Sequence, residues 1–168
     1  MIKSIRILFV FLGFLGLVSN SFAADVTMRI SIQLPMKSHL GQNLLLFKKD
    51  VEKKSNGEIE VQIYDSAQLY KDKEVPAAVG SGSIESGVAS LTRYVGDIPA
   101  VDLFYQPFLL NSEEKVRKAV AKGSSIRGPI DKAIEGTGST VLWWQAYGSA
   151  IMLSKGKAIK NPSDMKGK

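Results

Sequence analysis

A chain of 168 residues sets 22 Lys and Arg against 16 Asp and Glu, for a formal net charge of +6, and contains no cysteine. The missing cysteines exclude a disulfide-stapled scaffold and a thiolate metal site, so stability must come from a buried core. The charges are interleaved, as in Lys48-Lys49-Asp50 and Glu52-Lys53-Lys54, which reads as a solvated helix face and speaks against nucleic acid as a partner.

The chain opens with Lys3 and Arg6, an apolar run from Ile7 to Val18, and small residues at Ser21 and Ala23. That pattern predicts a signal peptide over residues 1–23, cleaved after Ala23, and hence a periplasmic protein. An uncut anchor is the alternative, but the apolar run is shorter than the roughly 20 residues of a membrane span. Next, Val26, Met28, Ile30, Ile32 and Leu34 alternate with Thr27, Arg29, Ser31 and Gln33, which predicts a strand with one buried face, ended by Pro35. Leu40, Leu44, Phe47 and Val51 recur at helical spacing, so an amphipathic helix follows, stopped by Asn56-Gly57. Ile59, Val61 and Ile63 alternate with polar neighbours as a second strand. Strand, helix and strand in this order form a βαβ unit, which implies parallel pairing and a right-handed crossover.

Asp72 is expected to cap a short helix running through Val79, with Pro76 in its first turn. Gly80 to Ser83 reads as a turn and Ile84 to Leu91 as a third strand. After an apolar, proline-punctuated stretch from Ile98 to Leu110, Asn111 and Glu114 form a capping box for a helix through Ala121. Pairs Glu113–Arg117 and Glu114–Lys118 support that helix at i,i+4 spacing. A helix over Ile126–Ile134, a break at Gly136-Thr137-Gly138, and a buried strand from Val141 to Tyr147 come next. A short strand, Ala150–Leu153, and a polar loop through Asn161–Asp164 complete the chain. The alternation predicts an α/β fold with a mainly parallel sheet, and such sheets bind ligands at the carboxyl ends of their strands.

Catalysis finds little support. His39 is the single histidine, no G-x-S-x-G elbow accompanies it, and no second histidine or cysteine joins it to hold a metal. Gly80-x-Gly82 meets Glu85 where a dinucleotide loop needs its third glycine. No enzyme and no cofactor are therefore expected. Binding fares better. Arg93 follows the third predicted strand, and an arginine's planar fork suits the two oxygens of a carboxylate. Ser90 and Thr92, alternating with Leu91, are expected to turn both hydroxyls to one side; the plain alternative is a surface arginine among small strand residues.

The order of these segments resembles the periplasmic solute-binding component of TRAP transporters, the DctP-like family. The resemblance rests on Phe47 to Val61 with its V-E-K-K-S-N-G core, Ala67-Gln68-Leu69, Gly82-Ser83-Ile84-Glu85 leading to Ala89-Ser90, Asp102-Leu103-Phe104, Gln106 to Leu110, and Ile159 to Gly167. It implies a periplasmic-binding-protein-like (type II-like) fold with a first α/β lobe over 24–147, and a hinge crossing and start of a second lobe over 148–168. It further implies a small organic acid ligand and hand-off to small and large membrane subunits. Gln33, Asp72, Ser90 and Arg93 match pocket-lining positions, and Trp144 and Tyr147 are candidates for the cleft wall, with a core position the alternative for Trp144. The stretch Ala150–Leu153 lacks an arginine that many members carry, and the family's main carboxylate-binding arginine would lie beyond Lys168. By that resemblance the chain looks truncated and its second lobe largely missing, so that alone it is expected to be marginally stable and to bind weakly or not at all. An ABC-type periplasmic receptor, or a non-functional fragment of a binding protein, is the alternative reading.

Overall fold

The structure, a computed structural model, describes residues 24–148 and 153–167. The signal peptide expected over 1–23 and most of the strand expected at Ala150–Leu153 lie outside the described residues. The elements in chain order are β1 (Val26–Ser31), α1 (His39–Lys54), β2 (Ile59–Tyr64), α2 (Val75–Gly80), β3 (Ser86–Gly87), α3 (Glu113–Val120) and α4 (Arg127–Glu135). Short 3-10 turns occupy Leu91–Tyr94, Pro99–Tyr105 and Pro162–Met165.

The expected βαβ unit is present. β1 pairs in parallel with β2, Val26 opposite Ile59 through Ser31 opposite Tyr64, and in parallel with β3 on its other side, giving the order β2-β1-β3. Helix α1 forms where the apolar spacing predicts it. Ser38 caps it, its Oγ accepting from the Gly41 N–H at 3.1 Å, and Lys53 and Lys54 in the last turn suit the negative end of the helix dipole. Asn56 and Gly57 end it with φ of 51° and 87°, the left-handed backbone that both residues tolerate. Leu40 and Leu44 are buried against Ile30, Ile32 and Val61, with Phe47 and Val51 packed beside them.

Helix α1 also closes the outer edge of the sheet. Glu58 and Tyr64 accept from the Val26 and Ile32 N–H groups of the β1 segment, so the alternate residues Ile59 and Val61 direct their backbone polar groups away from β1. Ser55 Oγ accepts from the Ile59 N–H, Glu52 Oε1 accepts from the Val61 N–H, and Lys48 Nζ donates to the Val61 carbonyl. The bonds from Lys48 and Val61 hold the Glu52 carboxyl below its ordinary range. Two side chains of the helix and that of its C-cap residue Ser55 thus occupy the groups that an incoming strand would need.

Several expected boundaries shift, each because a non-local contact wins. The strand expected to reach Leu34 stops at Ser31, and Ser31 is buried although it alternates with Ile30 and Ile32. Its hydroxyl donates to the Tyr70 carbonyl and accepts from the Tyr70 N–H, which satisfies it on the second covered face. The third strand shrinks from Ile84–Leu91 to Ser86–Gly87, because the Ser90 N–H is taken by the Asp72 carboxylate. Ser112, not Asn111, caps α3; its Oγ accepts from the Lys115 N–H, while Asn111 Oδ1 accepts from Lys115 Nζ. The pairs Glu113–Arg117 and Glu114–Lys118 form as expected. Residues 161–164 enter a 3-10 turn with reciprocal Asn161 and Asp164 capping bonds.

A second apolar cluster gathers Ile98, Val101, Ile130 and Ile134, flanked by Tyr94, Phe104, Val141 and Trp144; burial pushes the Tyr94 phenol above its ordinary range. Residues 141–147, expected to form a buried strand, pair with no strand among the described residues. Their side chains instead bridge two clusters: Trp143 meets Phe47 of α1 at 5.0 Å between ring centroids, and Trp144 meets Phe104 at 5.1 Å. Elsewhere the end of α2 touches the loop after α4. A Cβ at Gly138 (φ 85°) would lie 2.7 Å from the Gly80 carbonyl oxygen, and a Cβ at Gly80 would strike the Thr137 carbonyl oxygen.

The central strand is tied to the start of β3 by Arg29, whose Nε and Nη2 donate to the two oxygens of Glu85 at 2.8 and 2.7 Å. This pairing lowers the Glu85 carboxyl to about 2. A depressed carboxyl stabilises the fold above its ordinary value of about 4.5 and loses that effect as pH falls toward the folded value. Urea unfolding followed from pH 5 to pH 2 should therefore show a stability loss in wild type that is reduced in Glu85→Gln; identical pH profiles would count against this role.

Candidate functional site

Parallel pairing on both sides of β1 sends the chain out of β1, β2 and β3 at one end of the sheet, where pockets of such folds form. The segment after β2 then lies alongside the segment after β1. The Ser66 N–H donates to the Leu34 carbonyl and the Ala67 N–H to the Ile32 carbonyl. Both residues take positive φ, 53° and 58°, a conformation costly for side-chain-bearing residues and held here by those bonds. The Asp65 carboxylate accepts from the Met36 N–H at 2.9 Å. This packing delivers Asp72 to the strand tips.

There Asp72 does not cap α2 as expected; Glu74 occupies the N-cap position. The Asp72 side chain is only 5% exposed and has both oxygens committed. Oδ1 accepts from the Ser90 N–H at 2.8 Å and Oδ2 from Arg93 Nε at 2.6 Å, while the Asp72 N–H donates to Gln33 Oε1 at 3.2 Å. Gln33, Asp72, Ser90 and Arg93 are therefore one hydrogen-bonded group, assembled from the chain following each of the three strands. Arg93 is 42% exposed, and among the described residues its Nη edge makes no hydrogen bond. The group holds a buried carboxylate fixed behind a guanidinium whose outward donors remain available, an arrangement suited to ligand oxygens.

Thr92 stands beside this group differently from the expectation. The chain turns into a 3-10 helix at Leu91–Tyr94, so Ser90 and Thr92 no longer alternate as on a strand. The Thr92 N–H donates to the Tyr105 hydroxyl at 3.2 Å. Trp144 joins the second cluster: its Nε1 donates to Asp131 Oδ1 at 2.7 Å, and the Arg127 guanidinium lies 5.6 Å from its ring centroid while donating through Nε to Asp131 Oδ2. No bond links Trp144 to Asp72 or Arg93 among the described residues. Tyr147 is half exposed, next to Gly148 at φ 120°. His39, the first residue of α1, has its Nε2 3.2 Å from the Ala146 carbonyl oxygen, and Asn43 Nδ2 donates to Gln145 Oε1 at 2.8 Å. Sequence reasoning missed the tethers Ser31, His39 and Asn43, because each acts through a partner distant in the chain.

Two surface depressions lie away from the group. One of about 290 Å³ is bounded by Asn43, Phe47, Asp50 and Trp143, the other of about 430 Å³ by Leu109, Leu110, Lys118 and Ile126. Both are open and shallow, and neither has polar groups converging as they do around Asp72.

A family model described as bacterial extracellular solute-binding protein, family 7, matches residues 30–168. The chain is 31% identical over 149 residues to a solute-binding protein of Verminephrobacter eiseniae, covering 86% of this chain and 43% of that one. It is 28% identical over 157 residues to the C4-dicarboxylate-binding periplasmic protein DctP of Rhodobacter capsulatus, covering 91% and 45%. The chain thus spans less than half the length of these curated relatives. Among solved structures, its fold matches a TRAP periplasmic solute-binding protein of Sulfurospirillum deleyianum with bound succinate, at TM-score 0.62, 21% identity, and coverage of 69% and 37%. A TRAP periplasmic solute-binding protein of Pseudomonas aeruginosa with bound L-malate matches at TM-score 0.63, 20% identity, and coverage of 70% and 40%.

The place of Trp144 can be checked directly. Trp144→Phe keeps the ring against Phe104 but removes the donor to Asp131, and should lower stability in urea by about 1–3 kcal/mol. The side-chain resonances of Gln33 and Arg93 should stay unmoved in that variant; a shift in them would place Trp144 in the same group.

Proposed function

The chain belongs to the bacterial extracellular solute-binding protein family 7, and on that premise we propose that it is the ligand-capturing polypeptide of a TRAP-type transporter. The observation that carries this reading is the convergence of Gln33, Asp72, Ser90 and Arg93 at the carboxyl ends of three parallel strands. The outward donors of Arg93, with Gln33, Ser90 and Thr92 beside it, receive the oxygens of a small organic acid, while Asp72 holds the wall in place from behind. Relatives named for C4-dicarboxylates and fold neighbours carrying succinate or L-malate support an acid as ligand.

In this reading residues 24–147 form the first lobe of a two-lobed receptor, and 148–168 cross to the second. Gly148 supports a crossing at that point, since a φ of 120° is open chiefly to glycine. Tyr147 stands at the rim, and Trp144 packs the wall from within. An extracytoplasmic family accords with the signal-peptide pattern of residues 1–23 and with a periplasmic location. Delivery of the ligand to small and large membrane subunits is the final step of the proposal. The role proposed is binding, in keeping with a family described as solute-binding proteins.

Titration of the chain with a panel of small organic acids tests this reading. Arg93→Ala should weaken binding about tenfold or more, since a charge-assisted hydrogen bond contributes about 1.5–3 kcal/mol. Equal affinity of the variant and wild type would remove Arg93 from the site.

A further inference from the structure

The turn that ends α1 holds a reactive pair of residues whose chemistry is independent of the binding role above. Of the five asparagines, Asn20, Asn43, Asn56, Asn111 and Asn161, Asn56 alone is followed by glycine. Asn56 and Gly57 are both exposed, and among the described residues nothing hydrogen-bonds the Asn56 side-chain amide. Glycine has no side chain to shield its own backbone nitrogen, so that nitrogen reaches the preceding side-chain carbonyl carbon more readily than at Leu44 after Asn43 or Ser112 after Asn111. Pro162 after Asn161 offers no N–H at all.

The fold holds this reactivity in check. Resonance makes an amide nitrogen a poor nucleophile until it loses its proton, and the Gly57 N–H is bound to the Glu52 carbonyl at 3.0 Å. On either side the Asn56 N–H donates to the Lys53 carbonyl and the Glu58 N–H to the Ser55 carbonyl. These bonds fix Asn56 at φ 51° and Gly57 at φ 87°. The pair reacts only when this last turn opens, and helix ends open at low free energy.

We propose that Asn56 is a deamidation site gated by the end of α1, and that its product opens the sheet edge beside it. The Gly57 nitrogen, its proton given to hydroxide, bonds to Asn56 Cγ. The Cγ–Nδ2 bond breaks, ammonia leaves with a proton taken from water, and a succinimide ring closes. Water then adds to one ring carbonyl and breaks its bond to nitrogen. Addition at Cγ gives aspartate; addition at the main-chain carbonyl gives isoaspartate, whose backbone runs through Cβ and Cγ. Either product sets a new carboxylate at the negative end of the helix dipole. Isoaspartate also adds a methylene to the main chain between Ser55 and Ile59. Across that span Ser55 Oγ accepts from the Ile59 N–H at 3.1 Å. Lengthening the span breaks this bond and leaves the Ile59 N–H as an open strand edge. Val61 is paired farther along the β1 ladder, and its N–H stays with Glu52.

The test is peptide mapping by mass spectrometry of the chain held at mildly alkaline pH, with and without urea, followed by amide hydrogen exchange on the separated isoaspartate form. In urea, conversion at Asn56 should run about tenfold or more ahead of Asn43 and Asn111. In the folded chain it should slow by about tenfold or more. Exchange at Ile59 should quicken about tenfold in the isoaspartate form, with Val61 unchanged. Asn56→Gly, which keeps the left-handed turn, should abolish conversion and leave Ile59 exchange as in wild type. Asn56 converting no faster than Asn43, or equally fast folded and in urea, overturns the gated site. Ile59 exchange alike in both forms, or Val61 quickening as much as Ile59, overturns the opening of the edge.

Discussion

Because β1 pairs in parallel with both of its neighbours, each connection must travel the length of the sheet and return before the next strand begins. Three exits therefore open at one end, and their loops compete for the same space. The Asp72 carboxylate resolves that competition. It is buried where the three exits meet, and it takes the Ser90 N–H and the Arg93 guanidinium while its own N–H is taken by Gln33. A buried charge is tolerated only when paired and fully bonded, so the same requirement that makes Asp72 safe also fixes Gln33, Ser90 and Arg93 relative to one another.

The two sides of the sheet are treated differently. The β2 side is shut by Glu52 and Lys48 of α1 and by Ser55 at its C-cap. On the β3 side the ladder is only two residues long. Close packing on one side and the Asp72 group beside a short ladder on the other accord with the ligand-binding role proposed for the strand tips.

Much of the first βαβ unit was legible in the residues, because period-two and helical spacing report burial locally. Ile30, Ile32, Leu40, Leu44 and Val61 all fall in one core as their spacing implies. The third strand was legible in place but not in extent, since what shortens it is the carboxylate of Asp72, 18 residues upstream of Ser90. Asn111 and Ser112 are both competent caps, and only the backbone at Ser112 decides between them. The apolar run at 141–147 reads as a buried strand, yet its rings are satisfied by Phe47 and Phe104 rather than by a ladder. Of the candidate site, the location at strand tips and the residues Gln33, Ser90 and Arg93 could be named from position and resemblance. Asp72 was named too, both as a helix cap and, by resemblance, as a pocket-lining position; its bond to Arg93 joins residues whose pairing no local pattern records.

The contact between Gly80 and Gly138 carries a consequence for how such a chain tolerates change. Each glycine faces main chain at the other segment, and a carbonyl cannot swing aside as a side-chain tip can. Enlarging one position is thus not relieved by trimming its counterpart, which is already minimal. Mutational paths through either site are closed in both orders, and the spacing between the α2 terminus and the loop after α4 is inherited as a fixed length.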